Sequence, residues 1–224
     1  MERHLDQELM DLKNDLLEMG VLAEEAIFGS VEALKQLNAE EANKVINNDK
    51  IVDDLENKID EECLDLLALR QPVASDLRFI TMAMKIATDL ERIADLAVDI
   101  AQRVLDLVAT RKPLLKPLVD IPKLSSLAKQ MMKDALNSFV NSDEDLAELV
   151  IFLDNEADKL RNAVQKELVE HYMRKDPTAA SRAVPLLLVA RHLERICDHA
   201  TNISEDVIYM LKAKVVKHHP ERLK

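Results

Sequence analysis

Eight carboxylates stand in four pairs with the same internal spacing: Asp49 and Asp53, Glu91 and Asp95, Asp154 and Asp158, Glu194 and Asp198. Residues four apart share one face of an α-helix, with side chains about 6 Å apart. The pairs also mirror one another along the chain. Asp53 and Glu91 are equidistant from Pro72, and so are Asp49 and Asp95. Asp158 and Glu194, and likewise Asp154 and Asp198, are equidistant from Asp176, beside Pro177. If two helices run antiparallel from each of those turns, residues equally far from the turn stand at one height. Each half then gathers four carboxylates at a single level. Arg92 and Arg195 bring one positive charge to each half, so the remaining anions must protonate or find a cation. A hard cation with oxygen ligands meets that need: Mg²⁺, Mn²⁺, Ca²⁺ or iron. Asp99 continues the motif by a turn in the first half, while Asn202, a weaker ligand, holds that place in the second. His199 adjoins Asp198 as a further candidate.

The same spacing also describes a solvated helix face. Glu91 and Glu194 sit about 100° around the helix from the apolar stripe, which suits an exposed flank equally well. Asp49 differs, because it lies on the Val45–Val52–Ile59 seam. A purely structural helical scaffold therefore stands beside the metal reading. An oxygen-activating, carboxylate-bridged metal oxidase is a third reading, but that chemistry uses Glu-x-x-His ligand pairs. None of the six histidines has a glutamate three residues before it.

The elements that must position these groups are helices. Only Gly20 and Gly29 occur in 224 residues, too few for the turns of a β-rich or α/β chain. Charged residues make up 32% and aromatics 3%, the balance of long helices. Ala83, Ile86, Leu90, Ile93, Ala97, Ile100, Val104 and Leu107 keep steps of three and four, as does the run from Leu186 to Met210. The punctuation predicts six helices: about 4–37, 38–69, 75–111, 123–140, 144–174 and 178–214. Ser75 and Ser142 are the expected N-caps, and a proline-marked linker runs from Lys112 to Pro122. Pro185 falls inside the sixth helix, where it should kink the first turns or shift the start downstream. The basic tail beyond is expected to fray. Asp89 to Asp95 (DLERIAD) recurs as His192 to Asp198 (HLERICD) at an offset of 103, and Asp49-x3-Asp53 recurs as Asp154-x3-Asp158 at an offset of 105. The expected fold is all-α: two tandem three-helix bundles related by internal duplication, over residues 1–112 and 113–224.

The net charge of −12 and the absence of a concentrated basic patch argue against nucleic-acid binding. No glycine-rich cradle or arginine cluster for phosphate is evident along the chain. Cys63 and Cys197 form no CxxC pair and suit a reducing compartment as small buried hydrophobes. The scattered methionines read as core filling. No apolar leader opens the chain and no apolar run approaches the ~20 residues of a membrane span, so the expected location is cytoplasmic.

At the DLERIAD and HLERICD motifs, together with Arg70-Gln71-Pro72 and Ser75-Asp76-Leu77-Arg78, the chain resembles the PhoU family of phosphate-transport accessory proteins over nearly its whole length. The resemblance implies a cytoplasmic, non-catalytic, six-helix protein of two repeats, dimeric in several cases. Metal clusters would be held through the E/D-x3-D motifs, here Asp49, Asp53, Glu91, Asp95, Asp154, Asp158, Glu194 and Asp198. It further implies Fe, Mn, Mg or Zn as the metal and negative regulation of the phosphate regulon. The implied partners are the nucleotide-binding subunit of a phosphate ABC transporter and a sensor histidine kinase. Ala94 and Cys197 stand where the family often has glycine.

Overall fold

The computed structural model describes residues 4–116 and 118–215. Its described residues form six long α-helices: α1 (His4–Gln36), α2 (Ala39–Arg70), α3 (Ala74–Ala109), α4 (Asp120–Asn141), α5 (Glu144–Glu167) and α6 (Ala180–Lys212). The all-α reading and the two three-helix bundles hold. Pro117 and the basic tail after Val215 lie outside the described residues.

Several boundaries differ from expectation for local reasons. Val73, not Ser75, occupies the N-cap of α3 and makes no side-chain cap bond; Ser75 donates instead to Asp76 Oδ1 at 3.3 Å. Ser142 closes α4 rather than opening α5, adopting the left-handed region at φ 56°. Asp143 is the N-cap of α5, accepting from the Leu146 N–H at 3.0 Å. The α4 helix starts at Asp120, ahead of the expected Lys123, because Pro122 is tolerated in a first turn, where its missing N–H has no partner to lose. The expected fifth helix is interrupted: Leu168–Met173 form a π-helical turn. A 3₁₀ turn at Pro177–Ala179 follows, capped by Asp176, which accepts from Thr178 N–H at 2.9 Å. Pro185 lies buried inside α6, which begins at Ala180.

Short turns make α1, α2 and α3 neighbours, and α4, α5 and α6 likewise. The most extensive helix contact joins the two halves, α3 against α6. The pair is antiparallel, since partners on α6 descend as α3 ascends. Arg78 Nε donates to Met210 O at 2.9 Å, Lys85 Nζ pairs with Asp206 Oδ1 at 3.1 Å, and Asp89 Oδ1 meets His199 Nδ1 at 2.7 Å. Asp99 Oδ2 lies 3.7 Å from His192 Nδ1. A second seam joins α1 and α4, where a Cβ added at Gly20 would collide with the Leu136 side chain.

One continuous apolar core runs through both halves, from Leu12 on α1 to Met210 on α6. Its axis is α3, whose Ile80, Ile86, Leu90, Ile93 and Ile100 are fully buried. Met19, Met82, Met131 and Met132 fill core space, but Met10 is exposed. Cys63 and Cys197 are free, buried thiols. No helix among the described residues is long and apolar enough to cross a membrane.

Candidate metal centre

In the first half, α2 carries Asp49 and Asp53 beside the buried Val45 and Val52, and α3 carries Glu91 and Asp95 beside the buried Leu90 and Ala94. Neighbouring core residues hold these carboxylates half-buried. The Asp49 carboxyl is pushed up to about 6 by burial, then by Asp53 on its own helix and Asp95 on the facing one. Glu91 is pushed up to about 7 by burial and by Asp95, with Arg92 opposing and Glu56 adding to the repulsion. Asp49 and Asp95, equidistant from Pro72, are thus electrostatic neighbours across the helix pair. Arg92 lies along α3, its Nη1 3.2 Å from Asp95 Oδ2 and its Nε 3.4 Å from Glu91 Oε2. Glu91 Oε2 is nevertheless buried without a hydrogen-bond partner, as is Asp60 Oδ1 further along α2.

The second half repeats the plan on α5 and α6. Asp154 is raised by burial, then by Asp158 and Glu194. Asp198 keeps an exposed edge, yet its carboxyl is pushed up to about 6 by burial, Glu194 and Asp154. Here, however, a guanidinium stands inside the set. Arg161 Nη2 lies 3.1 Å from Glu194 Oε1 and 3.5 Å from Asp158 Oδ1. The expectation of one positive charge per half therefore fails in the second. Arg161 occupies the position that Glu56 holds in the first half, 105 residues earlier. Comparing the two copies residue by residue would have exposed both, but neither belongs to the x3-spaced motif.

The donors fit a hard metal in kind: oxygen only, from two facing helices, with a buried Glu91 oxygen that accepts no hydrogen bond. They do not yet converge in distance. Among the described residues, no three His, Cys, Asp or Glu side chains approach closely enough to hold one ion together. The arginines account for part of this, since Arg92 engages Glu91 and Asp95 while Arg161 engages Glu194 and Asp158.

The peripheral candidates belong elsewhere. His199 gives its Nδ1 to Asp89, and Asn202 Nδ2 donates to the same Oδ1 at 3.4 Å. Asp99 faces His192. Asp89 and His192 are repeat equivalents, as are Asn202 and Asp99, so the Asp89–Asn202 and His192–Asp99 contacts are one contact made twice across an internal two-fold. These residues build the α3–α6 seam.

Sequence and structure comparisons agree on what the chain is similar to. The PhoU domain family matches twice, over residues 16–104 and 121–207. A phosphate-specific transport system accessory protein PhoU homolog from Aquifex aeolicus is 42% identical over 214 residues, covering 96% of each chain. One of the same description from Pseudomonas aeruginosa is 38% identical and covers 97% of this chain and 89% of its own. The crystal structure of PhoU from Pseudomonas aeruginosa superposes with a TM-score of 0.89 at 38% identity, covering 94% of this chain and all of that one. The phosphate transport system regulatory protein PhoU from Streptococcus pneumoniae gives 0.87 at 30% identity, covering 95% of this chain and 99% of that one.

Proposed function

The chain belongs to the PhoU family, and from that premise we propose that it is a non-catalytic accessory protein of a phosphate-specific transport system, acting in the cytoplasm as a negative regulator of the phosphate regulon. Its partners on this reading are the nucleotide-binding subunit of the phosphate ABC transporter and a sensor histidine kinase, and it acts as a homodimer. The observation that carries the reading is the family match to both halves, coupled to relatives described as accessory or regulatory components of phosphate transport.

The carboxylate grooves are the proposed metal-binding faces. Asp49, Asp53, Glu91 and Asp95 would hold an ion of the Fe, Mn, Mg or Zn type in the first half, and Asp154, Asp158, Glu194 and Asp198 in the second. The ion would neutralise carboxylates whose burial and mutual repulsion otherwise favour protonation. Support comes from the raised Asp49, Glu91, Asp154 and Asp198 and from the buried Glu91 oxygen that accepts no hydrogen bond.

Three measurements test this. Pull-down of the transporter's nucleotide-binding subunit by the purified chain is expected, together with derepression of a phosphate-regulon reporter when the gene is deleted in phosphate-replete cells. A reporter that stays repressed would remove the regulatory role. Elemental analysis is expected to find metal, and Glu91→Gln with Asp95→Asn to lower it without unfolding the chain. Unchanged stoichiometry in that variant would dismiss the first-half site.

A further inference from the structure

We propose that the second half contains an oxyanion pocket, between α5 and α6 beside its carboxylates, that takes a phosphate-type group. The pocket is a concavity of about 590 Å³ whose lining includes Arg161, Gln165, Arg191 and Arg195, together with Glu194 and Asp198. Those four polar residues come from two helices and are scattered over 35 positions of sequence, which is why no cluster is visible along the chain.

The first half supplies an internal control. The positions equivalent to Arg161, Gln165 and Arg191 are Glu56, Asp60 and Thr88, and only Arg195 has a like counterpart, Arg92. At the equivalent positions the first half sets six carboxylates, Asp49, Asp53, Glu56, Asp60, Glu91 and Asp95, against one guanidinium. The second sets Asp154, Asp158, Glu194 and Asp198 against three. The first half's set is thus almost wholly acidic, while the second pairs its carboxylates with guanidinium groups that can take an anion beside them. In a chain of net charge −12, three guanidinium groups facing one hollow run against the average.

Two of the three arginines are not used up by their neighbours. Arg161 is engaged by Glu194 and Asp158 through Nη2, with Nη1 on Asn162 and more distantly on Gln165. Arg191 and Arg195 are exposed, and among the described residues neither has a carboxylate within ion-pairing distance. Guanidinium forks reaching in from two helices match a tetrahedral oxyanion, which accepts hydrogen bonds from several directions. The hollow exceeds what inorganic phosphate fills, so the same chemistry admits a phosphoryl group on a larger small molecule. This inference goes beyond the accessory role and does not depend on it.

Calorimetric titration of the full-length chain in chelator-containing buffer tests it, with inorganic phosphate in one arm and AMP in the other. Saturable binding at one site per chain is expected, weakened about tenfold or more by Arg191→Thr, the residue type of the first half. Arg195→Thr gives a second reading at an exposed position. Tighter binding of inorganic phosphate assigns the pocket to the free anion, and tighter binding of AMP assigns it to a phosphoryl end; both support the pocket. Three results overturn it: no saturable binding of either anion at millimolar concentration, binding indifferent to both variants, or binding that needs added Mg²⁺ and survives Arg191→Thr.

Discussion

His199 Nδ1 sits 2.7 Å from Asp89 Oδ1 across the α3–α6 seam, with Asn202 Nδ2 sharing the same oxygen at 3.4 Å. Both side chains are largely withdrawn from water. Removing the carboxylate leaves an imidazole and an amide facing a gap, at a cost of about 1–3 kcal/mol for an unmade hydrogen bond to a charged group. Asp89→Ala is expected to lower the melting temperature measurably, and Asp89→Asn to lower it less. A melting temperature unchanged in Asp89→Ala would deny the seam this contact.

The raised carboxylates set a pH dependence. Asp49, Glu91 and Asp198 titrate near 6 to 7 in the fold and near 4 when unfolded. Between those values the folded chain binds protons that the unfolded chain does not, so stability falls as pH rises through the window. His192, held low by burial, acts in the opposite sense, since the unfolded chain protonates first as pH falls. With several raised carboxylates against one histidine, the chelator-treated protein is expected to melt higher at about pH 5 than at about pH 7.5. Calorimetry across that range checks it, and a lower melting temperature at the acid end would be the wrong sign.

Neutralising the same groups is expected to have opposite effects with and without metal. Asp49→Asn removes a half-buried repelling charge and should stabilise the chelated protein at neutral pH. It should also reduce the rise in melting temperature produced by added Mn²⁺. Parallel melts with chelator and with Mn²⁺ separate the two, and an undiminished Mn²⁺ effect would exclude Asp49 as a ligand.

Arg161 competes with a cation for Glu194 and Asp158. Arg161→Ala is expected to raise the metal content of the second half and to destabilise the chelated protein at neutral pH. Elemental analysis in a Glu91→Gln, Asp95→Asn background isolates that half; metal content indifferent to Arg161 would mean the guanidinium does not compete.

Burial pushes the Cys63 thiol up to about 12 and the Cys197 thiol higher still. Thiolate is the reactive form, so neither cysteine should react with Ellman's reagent in the native protein, and both should in denaturant. Rapid titration of Cys197 under native conditions would indicate an opening of the α5–α6 pair.

The levels of the motif carboxylates were legible in the sequence because they depend on rise per residue and on where the turn falls. Asp49 and Asp95 are electrostatic neighbours for that reason. The caps were less legible. Ser75 and Ser142 have capping side chains, but Val73 and Asp143 take the positions because the turn geometry at Gln71–Pro72 and at Ser142 sets where each helix begins. Glu56, Asp60, Arg161 and Arg191 escaped a motif-led reading. They lie outside the x3 spacing, and their proximity to the carboxylates depends on side-chain direction across two helices.

By itself the sequence determined six helices, a duplication and two matched sets of carboxylates, because helical periodicity and turn residues act over a few positions at a time. Tertiary structure decided what faces what. It ran α3 antiparallel to α6, fused two bundles over one core, and gave His199, Asp99 and Asn202 to the seam. It also brought Arg161 of α5 against Glu194 of α6. Those outcomes depend on which helix faces bury against each other, a choice made by the whole apolar surface at once.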